Sequence, residues 1–201
     1  MRIEKRKTNV SITAGLQDCK YMDIAHIYKL YAMSTESERN TDWYADAYTF
    51  AKDLSVKYNI SIIKIAHLIA AISPQQKWEK NKEMATLALQ AFDAVKNGWM
   101  TREDMPLIHK FSAQSNTGYA VLFDEDYNLG QKTTSFAANI LGDYSIVTVD
   151  SLAMSILFGF YEKAGTYTIY GKAYTYAQAL YIHCANDLGI SPAHLQAVVW
   201  V

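Results

Sequence analysis

Residues 61–73 read SIIKIAHLIAAIS, and their apolar positions run nearly all the way round a helix instead of along one stripe. Such a helix has no face to offer water, so the rest of the chain must build a shell around it. Ser61 is placed to cap its start, and Pro74, with no N–H to donate, is placed to end it. The 201 residues are ample for a core around it, and the chain as a whole reads as mostly helix.

The flanking segments supply helices for that shell. Residues 23–34 set Ile24, Ile27, Leu30 and Tyr31 on one face, and a second helical pattern over 37–59 is expected to break near Asn40 and Thr41. Residues 77–98 form an amphipathic pattern that stops at Gly98, and 99–112, with Met105 and Pro106, read as a connection. Two short helices, 115–124 and 131–142, surround the turn DYNLG. The run SIVTV reads as extended, and a helix follows over 150–159 with Asp150 as its cap. Further helices are expected over 172–189, stopped by Gly189, and from Ser191 and Pro192 onward. Residues 1–18 read as an irregular arm. The final Val-Val-Trp-Val is apolar and lacks a helix stop, so either that end packs inward or a C-terminal extension has been lost.

Composition narrows the function classes. Half of the residues are hydrophobic and 19% are charged, which suits a folded globular protein, and a length of 201 residues suits one large domain or two small lobes. A net charge of −1 excludes a strongly basic footprint over the whole chain, though not a local basic patch. Cys19 and Cys184 form no CxxC, so a zinc ribbon or a cysteine-held iron–sulfur cluster is not expected. The five histidines show no metal-ligand spacing, and no metal or other cofactor is predicted. The opening MRIEKRKTNV is polar and basic, unlike a signal peptide, and the apolar runs are too short to span a bilayer. A monomer in a reducing, cytoplasmic setting, with no membrane partner, is the expectation.

Several residues invite a chemical reading beside a plain one. Asn128 and Gly130 tolerate positive φ, so the turn between 115–124 and 131–142 would aim backbone N–H groups outward and, with the next helix N-terminus, cradle phosphate. The plain alternative is a helix connection with no ligand. Gln131 separates Gly130 from Lys132, so the turn is not a P-loop. Gln75 and Gln76 follow Pro74 and are expected on a loop. Lys77, Lys80 and Lys82 would track phosphate, but Glu79 and Glu83 intervene and favour a solvated face. Trp78 reads as a core anchor, His67 as a hydrogen-bonded core histidine, and Tyr170, Tyr174 and Tyr181 as packing residues at helical spacing.

The stretch NLGQKTTSFAANIL followed by VTVDSLAMSI resembles the helix-hairpin-helix DNA glycosylase superfamily, the group that includes endonuclease III. That family carries a hairpin of the form LPGVGRKTA and then a VDTH-like segment with the catalytic aspartate. Gly130, Lys132, Thr133, Asn139, Val149 and Asp150 fall in register with it, and eighteen positions separate Lys132 from Asp150, as in lysine-bearing members. Upstream, LIAAISPQQKWEKNKEMA is similar to the family's LLSAQATDVSVNKA segment, whose glutamine probes the DNA stack. The resemblance spans roughly residues 60–160. It departs where Tyr127 and Asn128 replace the hairpin's Pro and first Gly, where Leu152 replaces a histidine, and where the cluster cysteines are missing.

The resemblance implies a two-lobed, all-α glycosylase-like fold with its cleft between the lobes. The whole chain, 1–201, would be one such domain. A central lobe of about 45–160 would carry the hairpin at 115–142, and 1–44 with 161–201 would form the second lobe. It implies DNA as partner, single- or double-stranded and carrying a modified base, contacted by Gln75, Gln76, Lys77, Asn128, Leu129, Gly130, Gln131 and Thr133. Asp150 would stabilise charge at C1′ of a flipped-out nucleotide, and Lys132 would attack C1′ to form a Schiff base. The chain would be a distant, phage-type member that excises a base. A relative of the same fold that adds an amine to a modified pyrimidine of phage DNA is the alternative, and a catalytically silent DNA-binding module is a third reading.

Overall fold

The computed structural model describes residues 4–5, 12–13, 16–161 and 167–200. The fold is all-α. In chain order it runs β1 (Glu4–Lys5), β2 (Ile12–Thr13), a 3-10 turn (Leu16–Tyr21), α1 (Ala25–Met33), α2 (Glu36–Arg39), α3 (Trp43–Tyr58), α4 (Ile62–Ala71) and α5 (Trp78–Lys96). It continues with α6 (Ser112–Leu122), α7 (Gln131–Ile140), α8 (Ser151–Phe158), β3 (Phe160–Tyr161), β4 (Tyr167–Thr168), α9 (Gly171–Leu188) and α10 (Pro192–Val199). The strands are two-residue bridges. β1 pairs in parallel with β3, Glu4 opposite Phe160, and β2 pairs with β4, Ile12 opposite Tyr167. The described part of the arm expected to be irregular thus includes two paired bridges and a 3-10 turn.

The chain divides into two compact units, 47–141 and 1–46 with 142–201, and the boundary falls inside α3. The expected central lobe ended near 160. Residues 142–160 instead group with the terminal segments, because Val147, Val149, Met154, Ile156 and Leu157 share one buried cluster with Ile27, Tyr174, Tyr181 and Leu195. Burial of apolar side chains decides that grouping, at about 1.5–3 kcal/mol for each one fully buried.

In the 47–141 unit, α4 is the central helix. Ser61 caps it, accepting the Ile63 N–H at 3.3 Å, and Ile65, Leu68, Ile69 and Ile72 are wholly buried. Its first turn is less enclosed than its composition predicts, since Ile63 is 53% exposed. Helices α6 and α7 both pack on α4. Gly118 permits the close approach of α6: a Cβ there would lie 3.0 Å from Ile72 Cγ2 and 3.1 Å from Ile108 Cδ1.

In the other unit, α1, α8, α9 and α10 enclose the second cluster. Ser191 caps α10 by accepting the His194 N–H at 3.3 Å, with Pro192 in the first turn. Gly189 ends α9 at φ +68°, a conformation that favours glycine. No single helix among the described residues is long and apolar enough to cross a membrane.

Candidate active site

Asp150 is the N-cap of α8, and its carboxylate uses only one oxygen for that task. Oδ1 accepts the N–H groups of Leu152 and Ala153, both at 2.9 Å. Oδ2 makes no hydrogen bond among the described residues, and the side chain is half-buried. The capping role and a chemical role therefore do not compete for the same atom.

The segment leading into Asp150 is extended and buried. Its backbone polar groups have no helix to satisfy them, so side chains must. Gln178 donates Nε2–H to the Val147 carbonyl at 2.7 Å. Gln196 accepts the Thr148 N–H at 3.0 Å and donates to the Thr148 carbonyl. Tyr174 accepts the Val149 N–H on its hydroxyl at 3.1 Å. Tyr181 donates to the Ala153 carbonyl at 3.1 Å, one turn into α8. Burial, and then the negative charge of Asp150, push the Tyr44 and Tyr181 hydroxyls well above the ordinary phenol range. The carboxylate is thus felt by neutral phenols in a region of low dielectric. Tyr174 and Tyr181 are packing residues, as their spacing predicts, whereas Tyr170 is 66% exposed.

Lys132 belongs to the 47–141 unit and Asp150 to the other. Lys132 sits in the first turn of α7, half-buried, and makes no ion pair or hydrogen bond among the described residues. The helix start has no side-chain cap.

The turn between α6 and α7 departs from the expected phosphate cradle. Neither Asn128 nor Gly130 has positive φ. Gly130 is extended, with φ −62° and ψ 163°, and the left-handed residue is Asp124, at φ +59°. Asp124, Glu125 and Asp126 precede Tyr127, so the approach to the turn is acidic. Two of these charges are matched within the unit: Lys64 Nζ lies 2.5 Å from Asp124 Oδ2, and Arg102 forks onto both Glu125 oxygens. Tyr127, standing where the resembling family has proline, bonds its hydroxyl to His67 Nδ1 on α4 at 2.8 Å. Thr134 donates to the Leu129 carbonyl at 3.1 Å, which fixes the chain just before α7. Asn128, Gly130 and Gln131 are exposed, and Leu129 and Thr133 are half-buried.

A cleft of about 620 Å³ lies beside this turn, lined by residues that include Arg102, Glu103, Asn116, Tyr119, Asp126 and Tyr127. Glu125 takes up the Arg102 charge, so Glu103 and Asp126 leave the cleft acidic and ill-suited to phosphate. Neither Asp150 nor Lys132 lines it.

The two glutamines after Pro74 have different tasks. Gln76 folds back and donates to the Ile72 carbonyl at 3.3 Å, closing the end of α4. Gln75 is exposed, adopts φ +56° and accepts from Lys110 Nζ at 3.3 Å. A left-handed non-glycine residue is strained, and its surroundings must hold it there. Here His109 does so: Nε2–H donates to the Pro74 carbonyl at 2.8 Å, and Nδ1 accepts the Phe111 N–H at 3.0 Å. The Ser115 hydroxyl in turn accepts the Ile108 and His109 N–H groups, at 3.1 Å and 2.9 Å. Sequence reading missed His109, Lys110 and Gln196, none of which carries a local motif. Lys77 precedes α5 and is exposed, while Lys80 and Lys82 pair with Glu83 and Glu79. Trp78 packs edge-on to Phe50 at 6.0 Å. Among the described residues, no three His, Cys, Asp or Glu side chains group as a metal ion requires.

No curated protein and no solved structure shows a significant match to the chain. Residues 8–201 match the model of DUF7178, a family of unknown function, and the chain belongs to that family.

Proposed function

For this member of a family of unknown function, we propose a DNA glycosylase-like activity: cleavage of the bond between C1′ and the base nitrogen of a modified nucleotide flipped out of DNA. One observation carries the reading. Asp150 holds Oδ1 on two backbone N–H groups, and its Oδ2 makes no hydrogen bond among the described residues. A carboxylate fixed by one oxygen needs no reorganisation to oppose positive charge with the other.

In the reaction, the C1′–N bond breaks and its electron pair leaves with the base nitrogen, which takes a proton from solvent. Positive charge grows on the sugar ring, and Asp150 stabilises it. Water adds to C1′ and passes a proton to the carboxylate, which returns it to solvent. Lys132 is the second candidate, as the amine that would attack C1′ in place of water.

The support beyond Asp150 is the register of Gly130, Lys132, Thr133 and Asp150 with the glycosylase pattern and the helix–turn–helix of α6 and α7. The test is a panel of single- and double-stranded DNAs carrying normal, damaged and phage-type modified bases. Base release is read by mass spectrometry and covalent adducts by borohydride trapping, with Asp150→Asn and Lys132→Ala alongside. Base release that requires Asp150 is the expected result, and a trapped adduct that requires Lys132 would add lyase chemistry. A base that gains mass without release would overturn the reading in favour of amine transfer. No change in any DNA would overturn it in favour of a binding module.

A further inference from the structure

We propose that Gln196, forty-six residues beyond Asp150 in the chain, is a positioning residue for that carboxylate, acting through the backbone of Thr148. The inference rests on the reading of Asp150 as the reacting group.

The extended segment 147–149 is buried inside a helical unit. Among the described residues no strand pairs with it to complete its hydrogen bonds, and an unmet buried N–H or C=O is costly. A primary amide presents an acceptor and a donor side by side, the pair that an adjoining strand would offer. Gln196 is wholly buried and supplies that pair to Thr148: Oε1 to the N–H at 3.0 Å, and Nε2–H to the carbonyl. Its own geometry is fixed in turn, because the Tyr44 hydroxyl donates to the same Oε1 at 3.3 Å. Gln178 and Tyr174 secure the residues on either side, Val147 and Val149.

Two residues after Thr148 comes Asp150, and there the constraint changes hands. Behind it the chain is held by side chains from α9 and α10, and ahead of it by the α8 backbone that Oδ1 caps. The direction of Oδ2 is the outcome of both. A buried glutamine among apolar neighbours is a specific solution, since leucine or methionine would fill the space and leave both Thr148 groups unmet. The support comes from a buried polar side chain in the otherwise largely apolar α10, far from Asp150 in sequence.

Gln196→Asn keeps the amide but withdraws it by one methylene. Tyr44→Phe is the milder companion: it removes the hydroxyl that bonds Oε1 and the Thr148 side chain, keeps the Gln196 amide, and serves if Gln196→Asn does not fold. Two readouts are needed. The first is amide hydrogen exchange at Leu152 and Ala153, the two N–H groups on Asp150. The second is the single-turnover rate of base release, measured beside DNA affinity and repeated in an Asp150→Asn background.

The expected result is faster exchange at those two amides, with α4 amides unchanged. With it should come a loss of rate of about a hundredfold at nearly constant affinity, the scale of an ångström-sized misplacement. In the Asp150→Asn background the Gln196 substitution should cost nothing further. An equal loss in both backgrounds, or unchanged exchange at Leu152 and Ala153, would overturn the proposal. If the wild type releases no base from any DNA, the reading of Asp150 falls by itself, and the exchange measurement still decides whether Gln196 sets its position.

Discussion

The Tyr127 hydroxyl lies 2.8 Å from Nδ1 of His67, so the turn between α6 and α7 is bonded to the central helix of its unit. Burial lowers the pKa of the His67 imidazole below its ordinary 6.5. The unfolded chain therefore takes up a proton at a pH where the folded chain resists it. Stability from this source is complete above about 6.5 and declines as pH falls from there toward the folded value. Urea unfolding at pH 7.5 and 5.5 should show the loss on acidification, and His67→Gln should reduce it. An identical pH dependence in His67→Gln would contradict the assignment.

Gly159 caps the end of α8 at φ +73°, and a Cβ there would lie 2.4 Å from His26 Cε1. Left-handed strain and overpacking act together, so Gly159→Ala should cost about 2–4 kcal/mol in denaturant unfolding. Shortening the neighbour with His26→Ser should return the overpacking share, read as non-additivity in a double-mutant cycle. Strict additivity would show that the ring simply moves aside.

At Asp150, cap and chemistry are separable. Asparagine caps helices as well as aspartate does, whereas alanine loses the bonds to Leu152 and Ala153. Asp150→Ala should lower stability by about 1 kcal/mol, and Asp150→Asn should leave it nearly unchanged. Equal stability of the two variants would mean that the cap contributes little.

Gly130 has ordinary extended geometry, and a Cβ placed on it meets nothing within 4 Å. The fold does not require glycine there. Gly130→Ala should change stability by less than about 1 kcal/mol. If DNA backbone approaches the turn closely, the same variant should weaken DNA binding in a mobility-shift titration. Unaltered affinity would remove the turn from the DNA contacts.

Much of the helical layout is legible in the sequence because it is written locally. Ser61, Asp150 and Ser191 each cap the helix that follows, and Gly98 and Gly189 take positive φ at helix ends. The break expected near Asn40 separates α2 from α3, and the capping box of Thr35 and Glu38 starts the shorter helix. What escaped is what depends on distant partners. The left-handed residues Gln75 and Asp124 are not glycines, and contacts from Lys110 and Lys64 reach them across the fold. The acids at 124–126 were visible in the sequence, but their matching to Lys64 and Arg102 was not. Residues 142–160 join the terminal segments through burial that no local pattern encodes. Gln196 meets Thr148 across forty-eight residues, with only a polar residue in an apolar helix as its signal.

The central claim is that Oδ2 of Asp150, the oxygen that takes no part in the cap, carries the chemistry. Single-turnover base release by Asp150→Asn, on whichever DNA the wild type processes, tests it most directly, because asparagine keeps the cap and removes the charge. The account predicts a folded, DNA-binding variant whose release rate falls by about 10²–10⁴-fold. A rate within about twofold of the wild type would leave Asp150 a helix cap and nothing more.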